Sequence, residues 1–103
     1  MSQFKFGESS LHCNYLYSKA LLDDARAREL KLHRQVTDEY VDDALVQFVC
    51  ERVIYGWSNV LDQDGNQIEF EALHLYQIFE KYPEMFIEVL KHCSKFDNFS
   101  LVA

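Results

Sequence analysis

The apolar positions of this chain fall into stretches of helical spacing, interrupted by one polar, turn-rich segment. From Leu11 or Asn14 onward, Tyr15, Leu22, Ala25 and Leu32 recur at helical intervals, with the good helix formers Ala20, Leu21, Arg26 and Glu29 among them. Gln35-Val36-Thr37 breaks this pattern, and Thr37 or Asp38 is placed to cap a second helix with acids in its first turn. Tyr40, Val41, Ala44, Leu45, Phe48, Val49 and Val53 then make a wide apolar stripe, the pattern of a central core helix. Its expected end is Tyr55-Gly56, with Gly56 in the left-handed conformation just past the last turn. A third helix follows over Glu71 to Lys81, with Ala72, Leu75, Tyr76 and Phe79 on one face. Tyr82-Pro83 ends it, because the residue before proline avoids the α region, and Pro83 suits the first turn of a fourth helix. Phe86, Val89, Leu90 and Cys93 are its inward face.

The segment between the second and third of these helices is Gly56 to Phe70, GWSNVLDQDGNQIEF, which holds the one Trp of the chain. Asp64-Gly65 supplies the positive-φ backbone of a tight turn, and Val60, Ile68 and Phe70 are strand formers around it. The pattern therefore predicts a mainly α fold of about four helices in one domain spanning residues 1–103, with a short β-hairpin or loop insert around residues 57–70. Residues 1–10 read as a loose N-terminal arm in which Phe4 and Phe6 alternate with polar neighbours. Residues 97–103 read as an apolar C-terminal tail.

Composition supports a folded core. The chain has 103 residues, of which 49% are hydrophobic and 15% aromatic, enough to bury a core without staples. A net charge of −7 argues against a phosphate-binding surface, which needs Lys and Arg gathered on one face. The basic run Arg26, Arg28, Lys31 and Arg34 precedes Asp38, Glu39, Asp42 and Asp43, the order that matches the end of one helix dipole and the start of the next. Cys13, Cys50 and Cys93 are odd in number and widely spaced, as expected for reduced thiols. There is no apolar run of membrane-span length and no apolar core to the N-terminal segment. The expectation is a cytoplasmic protein with no membrane and no nucleic-acid partner.

Chemistry-bearing patterns are sparse. The acidic loop fails as an EF-hand: with Gly65 at the sixth position Val60 falls at the first, and starting at Asp62 puts Gln67 at the glycine position. His12-Cys13, His33, Cys50, His74 and His92-Cys93 lack zinc-ligand spacing, so no metal and no cofactor is expected. No nucleophile motif and no Gly-rich phosphate loop is present, and the Glu39/Asp43 pair reads as a solvated helix face. No catalytic residue is assigned. Trp57 is expected to fold back as a core anchor that locks the insert onto the helices, the other role open to it being a binding hot spot. Phe96, Phe99, Leu101 and Val102 are the remaining candidates for partner contact, against simple C-terminal packing. Gly56, Trp57, Asp64, Gly65 and Pro83 are the expected structural residues.

The run Glu51-Arg52-Val53-Ile54-Tyr55-Gly56-Trp57-Ser58-Asn59-Val60, followed by Asp62-Gln63-Asp64-Gly65-Asn66-Gln67-Ile68-Glu69-Phe70, resembles the tail assembly chaperones of long-tailed bacteriophages and prophages. In that family a helix ends in Trp and is followed by V-x-D-x-D-G-x-x-I/V-x-F/Y, then a helix, a proline and a last helix. Tyr82-Pro83-Glu84 and Phe86, Val89 and Leu90 fit that second half, and the likeness runs from Cys50 to Phe99. Where the family tends to place Ser/Thr-Pro-Glu, this chain has Phe70-Glu71-Ala72. The resemblance implies a helical, non-enzymatic protein of the host cytoplasm. Such a protein binds the tape measure protein, helps recruit tail tube subunits and is absent from the finished tail. A homo-oligomer is compatible with coating a long filament. The competing expectation is a small protein-binding adaptor or regulatory protein.

Overall fold

The computed structural model describes residues 2–32 and 42–99. Its architecture is mixed α/β. Among the described residues, a three-stranded antiparallel sheet in the order β1-β2-β3 is joined to four α-helices, which corrects the mainly α expectation. The strands are β1 (Ser2–Phe6), β2 (Ser9–Cys13) and β3 (Ile54–Ser58). The helices are α1 (Lys19–Ala27), α2 (Asp43–Phe48), α3 (Ala72–Lys81) and α4 (Pro83–Ser94). A π-helical turn, Val49–Val53, continues α2, and a 3-10 turn, Phe96–Phe99, follows α4.

The N-terminal segment read as a loose arm is the first hairpin. Ser2, Phe4 and Phe6 are partly buried while Gln3 and Lys5 are exposed, the period of a strand with one covered face. Phe6 pairs with Ser9, so Gly7-Glu8 is a two-residue turn. Gly7 takes φ +61° at its first position, where any other residue is strained. β2 is the central strand, and Leu11 and Cys13 are part of it rather than the start of a helix. The first helix begins only at Lys19, and Leu21 and Ala25 are its buried residues.

α1 ends in a Schellman motif. Leu30 N–H donates to the Ala25 carbonyl at 2.8 Å and Glu29 N–H to that of Arg26 at 3.0 Å, which requires a left-handed residue between. Glu29 fills that place at φ 60°. The expected break at Gln35-Val36-Thr37, the Thr37 or Asp38 cap, Tyr40 and Val41 lie outside the described residues. The helix start that is described is capped by Asp42, whose side chain accepts from Ala44 N–H at 2.8 Å.

Gly56 is not a helix terminator. The π turn hands the chain directly to β3 at Ile54 (φ −93°, ψ 127°), and Gly56 lies inside that strand opposite His12. A Cβ there would sit 3.4 Å from His12 Nδ1, so the missing side chain makes room for the imidazole. Trp57 and Ser58 likewise belong to β3 rather than to an insert. The remaining part, residues 59–71, is a loop whose only pairing among the described residues is the Leu61–Gln67 bridge.

The rows Phe4–Leu11–Trp57 and Gln3–His12–Gly56 run across the sheet. The first faces inward, where Leu11, Cys13 and Trp57 join one buried cluster with Phe48, Val53, Leu75, Phe86, Val89 and Cys93. α3 starts without a side-chain cap at Glu71, whereas Pro83 occupies the first turn of α4 as expected. No helix among the described residues is long and apolar enough to cross a membrane.

Candidate protein-binding grooves

Trp57 is 6% exposed. Its indole Nε1–H donates to the Ile68 carbonyl at 2.7 Å, and Phe70 meets its ring edge-to-face at 5.0 Å between centroids. The indole therefore ties the loop back onto β3, whereas the sequence reading has Trp57 locking the insert onto the helices. Within the loop, Gly65 has φ +82°. The organising side chain is Asp62, which the sequence reading passed over in favour of Asp64. Its Oδ1 accepts from Asp64 N–H at 2.9 Å and from Asn66 N–H at 3.0 Å. An Asp followed two residues later by Asp-Gly is the signal that could have shown this Asx turn.

With the loop pinned, α3 stands between two open apolar grooves. Its Leu75 and Phe79 are buried, but apolar residues continue around the helix beyond that stripe. On one side, Ala72, Leu73 and Tyr76 face Gln47, Cys50 and Glu51 across a groove of about 280 Å³. Leu73, at its lip, is 61% exposed. The charged groups here are acidic. Asp43 accepts from the Tyr76 hydroxyl and from Gln47 Nε2, the latter at 2.9 Å. Those carboxylates, Asp43 and then Glu80, hold the Tyr76 hydroxyl protonated well above the ordinary tyrosine range. Cys50 lies under this groove, and burial followed by the Glu51 charge pushes its thiol up to about 12.

On the other side of α3, Trp57, Val60, Ile68 and Ile78 line a second groove of about 380 Å³ together with His74, Gln77, Lys81 and Tyr82. Tyr82 is 46% exposed, and Lys81 Nζ lies 5.5 Å from the centre of its ring.

Phe96 and Phe99 stand at the far end of α4, in the 3-10 turn. Tyr15 meets both, at 5.6 Å and 5.5 Å between ring centroids. Phe96 is nonetheless 61% exposed, while Phe99 is half-buried. Leu101 and Val102 lie outside the described residues. The structure thus separates the candidate contact residues: Trp57 belongs to the second groove, and the Phe96/Phe99 pair belongs to the opposite end of α4.

Polar clusters elsewhere serve the packing. Two serine–histidine contacts occur among the described residues. His12 Nε2 lies 2.9 Å from Ser58 Oγ on the outer sheet face, where the ring also leans on Tyr55. His92 Nε2 lies 2.8 Å from Ser2 Oγ, between Phe4 and Phe99, with Asn98 Nδ2 3.3 Å from its Nδ1. The second contact joins β1, α4 and the 3-10 turn. Burial, and then the Lys95 charge, lowers the His92 pKa. Arg28 joins Asp24 and Glu51 at 3.5 Å and 3.0 Å, and Arg52 meets Asp24 at 3.0 Å, so those basic residues are committed to α1 and the π turn. All three cysteines are buried free thiols. No group of three or more His, Cys, Asp or Glu side chains among the described residues could hold a metal ion.

A family model described as YdaY prophage protein matches residues 14–102. No curated protein and no solved structure matches the chain.

Proposed function

The chain belongs to the YdaY prophage protein family, and from that premise we propose that it is a tail assembly chaperone. In this reading it is a non-enzymatic protein of the host cytoplasm that binds the tape measure protein and helps recruit tail tube subunits during tail morphogenesis. The likeness of Glu51 to Phe70 to that class supports the reading, and those residues form one unit here: π turn, β3, Trp57 and the Asp62-organised loop.

The observation that carries the proposal is the groove between α2 and α3, with Leu73 61% exposed at its lip. Folding of this chain leaves that leucine in water, although α3 already buries Leu75 and Phe79. An apolar groove of this kind takes the apolar stripe of a partner helix, and a long helical protein such as a tape measure presents such a stripe. A coat of net charge −7 keeps the covered filament in solution through mutual repulsion of its copies.

The experiment is co-expression of the tagged chain with the tape measure protein encoded by the same prophage. The expected result is that the tape measure protein becomes soluble and co-purifies, and that Leu73→Glu, an exposed change, loses it. A tape measure protein that stays insoluble and uncaptured beside well-folded wild-type chain would overturn the proposal.

A further inference from the structure

The two walls of the α2–α3 groove differ in charge balance. Glu51, on the π-turn wall, is neutralised by Arg28 at 3.0 Å. On the α3 wall, Leu73, Tyr76 and Glu80 are spaced three and four residues apart, so they form one row along the helix. There the Tyr76 hydroxyl meets two exposed carboxylates, Asp43 from α2 and Glu80 from α3 itself. A phenol carries one proton and donates to one acceptor at a time. One of the two carboxylates is therefore always left without that donor, beside a second charge of the same sign. Gln47 Nε2 serves Asp43 at 2.9 Å, but an amide cancels no charge. Among the described residues, no Lys, Arg or His side chain pairs with Asp43 or Glu80.

The groove thus runs from an exposed leucine to an uncompensated acidic pair. Leu73 and Glu80 are about 10 Å apart along the helix axis. Both walls are helical, and neither offers a strand edge, so an occupant meets this surface with side chains rather than by backbone pairing. A helix matches it when a large aliphatic residue and a Lys or Arg stand on one face, one to two turns apart. An ammonium or guanidinium group supplies donors to both carboxylates at once, which the single phenolic proton does not.

We propose that the helix received by the α2–α3 groove is a basic amphipathic one, with a leucine-like residue packed against Leu73 and a Lys or Arg seated between Asp43 and Glu80. This rests on the docking role given to the groove above, and it adds the chemistry of what docks.

A fluorescently labelled peptide of about 20 residues, long enough to be helical in water, tests this without the tape measure protein. Three versions are compared against the full chain by anisotropy: a leucine stripe flanked by Lys, the same stripe flanked by Glu, and the Lys version with its leucines replaced by serine. The Lys version should bind about tenfold more tightly than the Glu version, since the exchange turns attraction into repulsion, and the serine version should not bind. Asp43→Asn and Glu80→Gln should each weaken the Lys version about two- to fivefold, the range of an exposed ion pair, and flatten its dependence on salt. Glu80→Lys should bind the Glu version more tightly than the wild type does. Glu8→Gln, in the β1–β2 turn, should change nothing, which separates the local pair from the net charge of −7. Thermal melting shows that each variant is folded.

Binding of none of the peptides, equal binding of the Lys and Glu versions, or a Lys preference that Asp43→Asn and Glu80→Gln leave intact would overturn the proposal. The two readings of the groove fail separately. A Lys preference lost with these carboxylates, in a chain that captures no tape measure protein, would remove the partner named above and keep the basic helix. Capture that Leu73→Glu abolishes and both carboxylate variants leave untouched would do the reverse.

Discussion

Replacing Trp57 tests the joint between sheet and loop. The indole is 6% exposed, and burying a side chain of this kind removes about 150–250 Å² from water. At about 25 cal/mol per Å² this is roughly 4–6 kcal/mol, and a compact unfolded chain lowers it to about 3–5 kcal/mol, the range usual for Trp→Ala in a core. A domain with a total stability of about 5–15 kcal/mol would be left marginal. With a urea m-value of about 1.5 kcal/mol/M, Trp57→Ala should lower the midpoint by about 2–3 M, followed by far-UV circular dichroism because the fluorophore is gone. Trp57→Phe separates the two roles of the ring. It keeps most of the apolar body and the edge contact with Phe70, but loses the 2.7 Å bond to the Ile68 carbonyl. That bond is worth about 1–2 kcal/mol with the lost ring atoms included. Its loss should be local, with amides from Asp62 to Ile68 exchanging faster than those of β2. If Trp57→Ala melted like the wild type, or if Trp57→Phe left loop exchange unchanged, the anchoring argument would be refuted.

Three further outcomes follow from features of single residues. Asp62→Ala should cost about 1 kcal/mol, since two loop amides lose their acceptor, and the loss should appear as faster exchange at Asp64 and Asn66. Glu29→Gly should stabilise the protein by about 0.5–1 kcal/mol, because Glu29 holds a left-handed conformation at φ 60° that costs a side chain about 1–2 kcal/mol; an unchanged or lower denaturation midpoint would contradict this. The lowered pKa of His92 makes its neutral form the one that favours the fold. Its contribution is complete above the unfolded histidine value of about 6.5 and is lost as pH falls from there through the lower folded value. Stability measured downward from neutral pH should therefore fall less steeply in His92→Phe than in the wild type, and NMR should show His92 titrating below an unperturbed histidine.

The helical half of the fold was legible because its signals are local. Pro83 marked the start of α4, and Phe86, Val89, Leu90 and Cys93 are its buried residues. Leu75 and Phe79 were placed on the inner face of α3, and Gly65 in a turn. The sheet was not legible, because each strand makes sense only beside another. Phe4 and Phe6 alternate over too short a stretch to declare a strand until Leu11 and Cys13 pair with it. β3 follows the π turn without a loop, and Ile54 falls inside the helix expected to end at Tyr55-Gly56 until its pairing with Cys13, 41 positions earlier in the chain, is known. Among the candidates for partner contact, aromatic residues drew attention to Trp57 and Phe96, and the exposure of Leu73 was not anticipated. A leucine beside a buried stripe carries no mark of exposure, and only the packing of α3 against α2 decides it.

The direct passage from the π turn into β3 leaves the chain no slack at Val53-Ile54. Tyr55 is already an extra residue there, between the Cys13–Ile54 and His12–Gly56 pairs, and side chains alternate between faces beyond it, so a further one-residue slip would exchange the places of Gly56 and Trp57. The indole would then point to solvent across from His12, and the inner sheet face would have a glycine where its largest ring belongs. Length at this junction should consequently be intolerant of change, whereas the hydrophilic stretch Asp62–Gln67, which touches the remainder mainly through its two stems, is where extra residues could be spliced in at little cost.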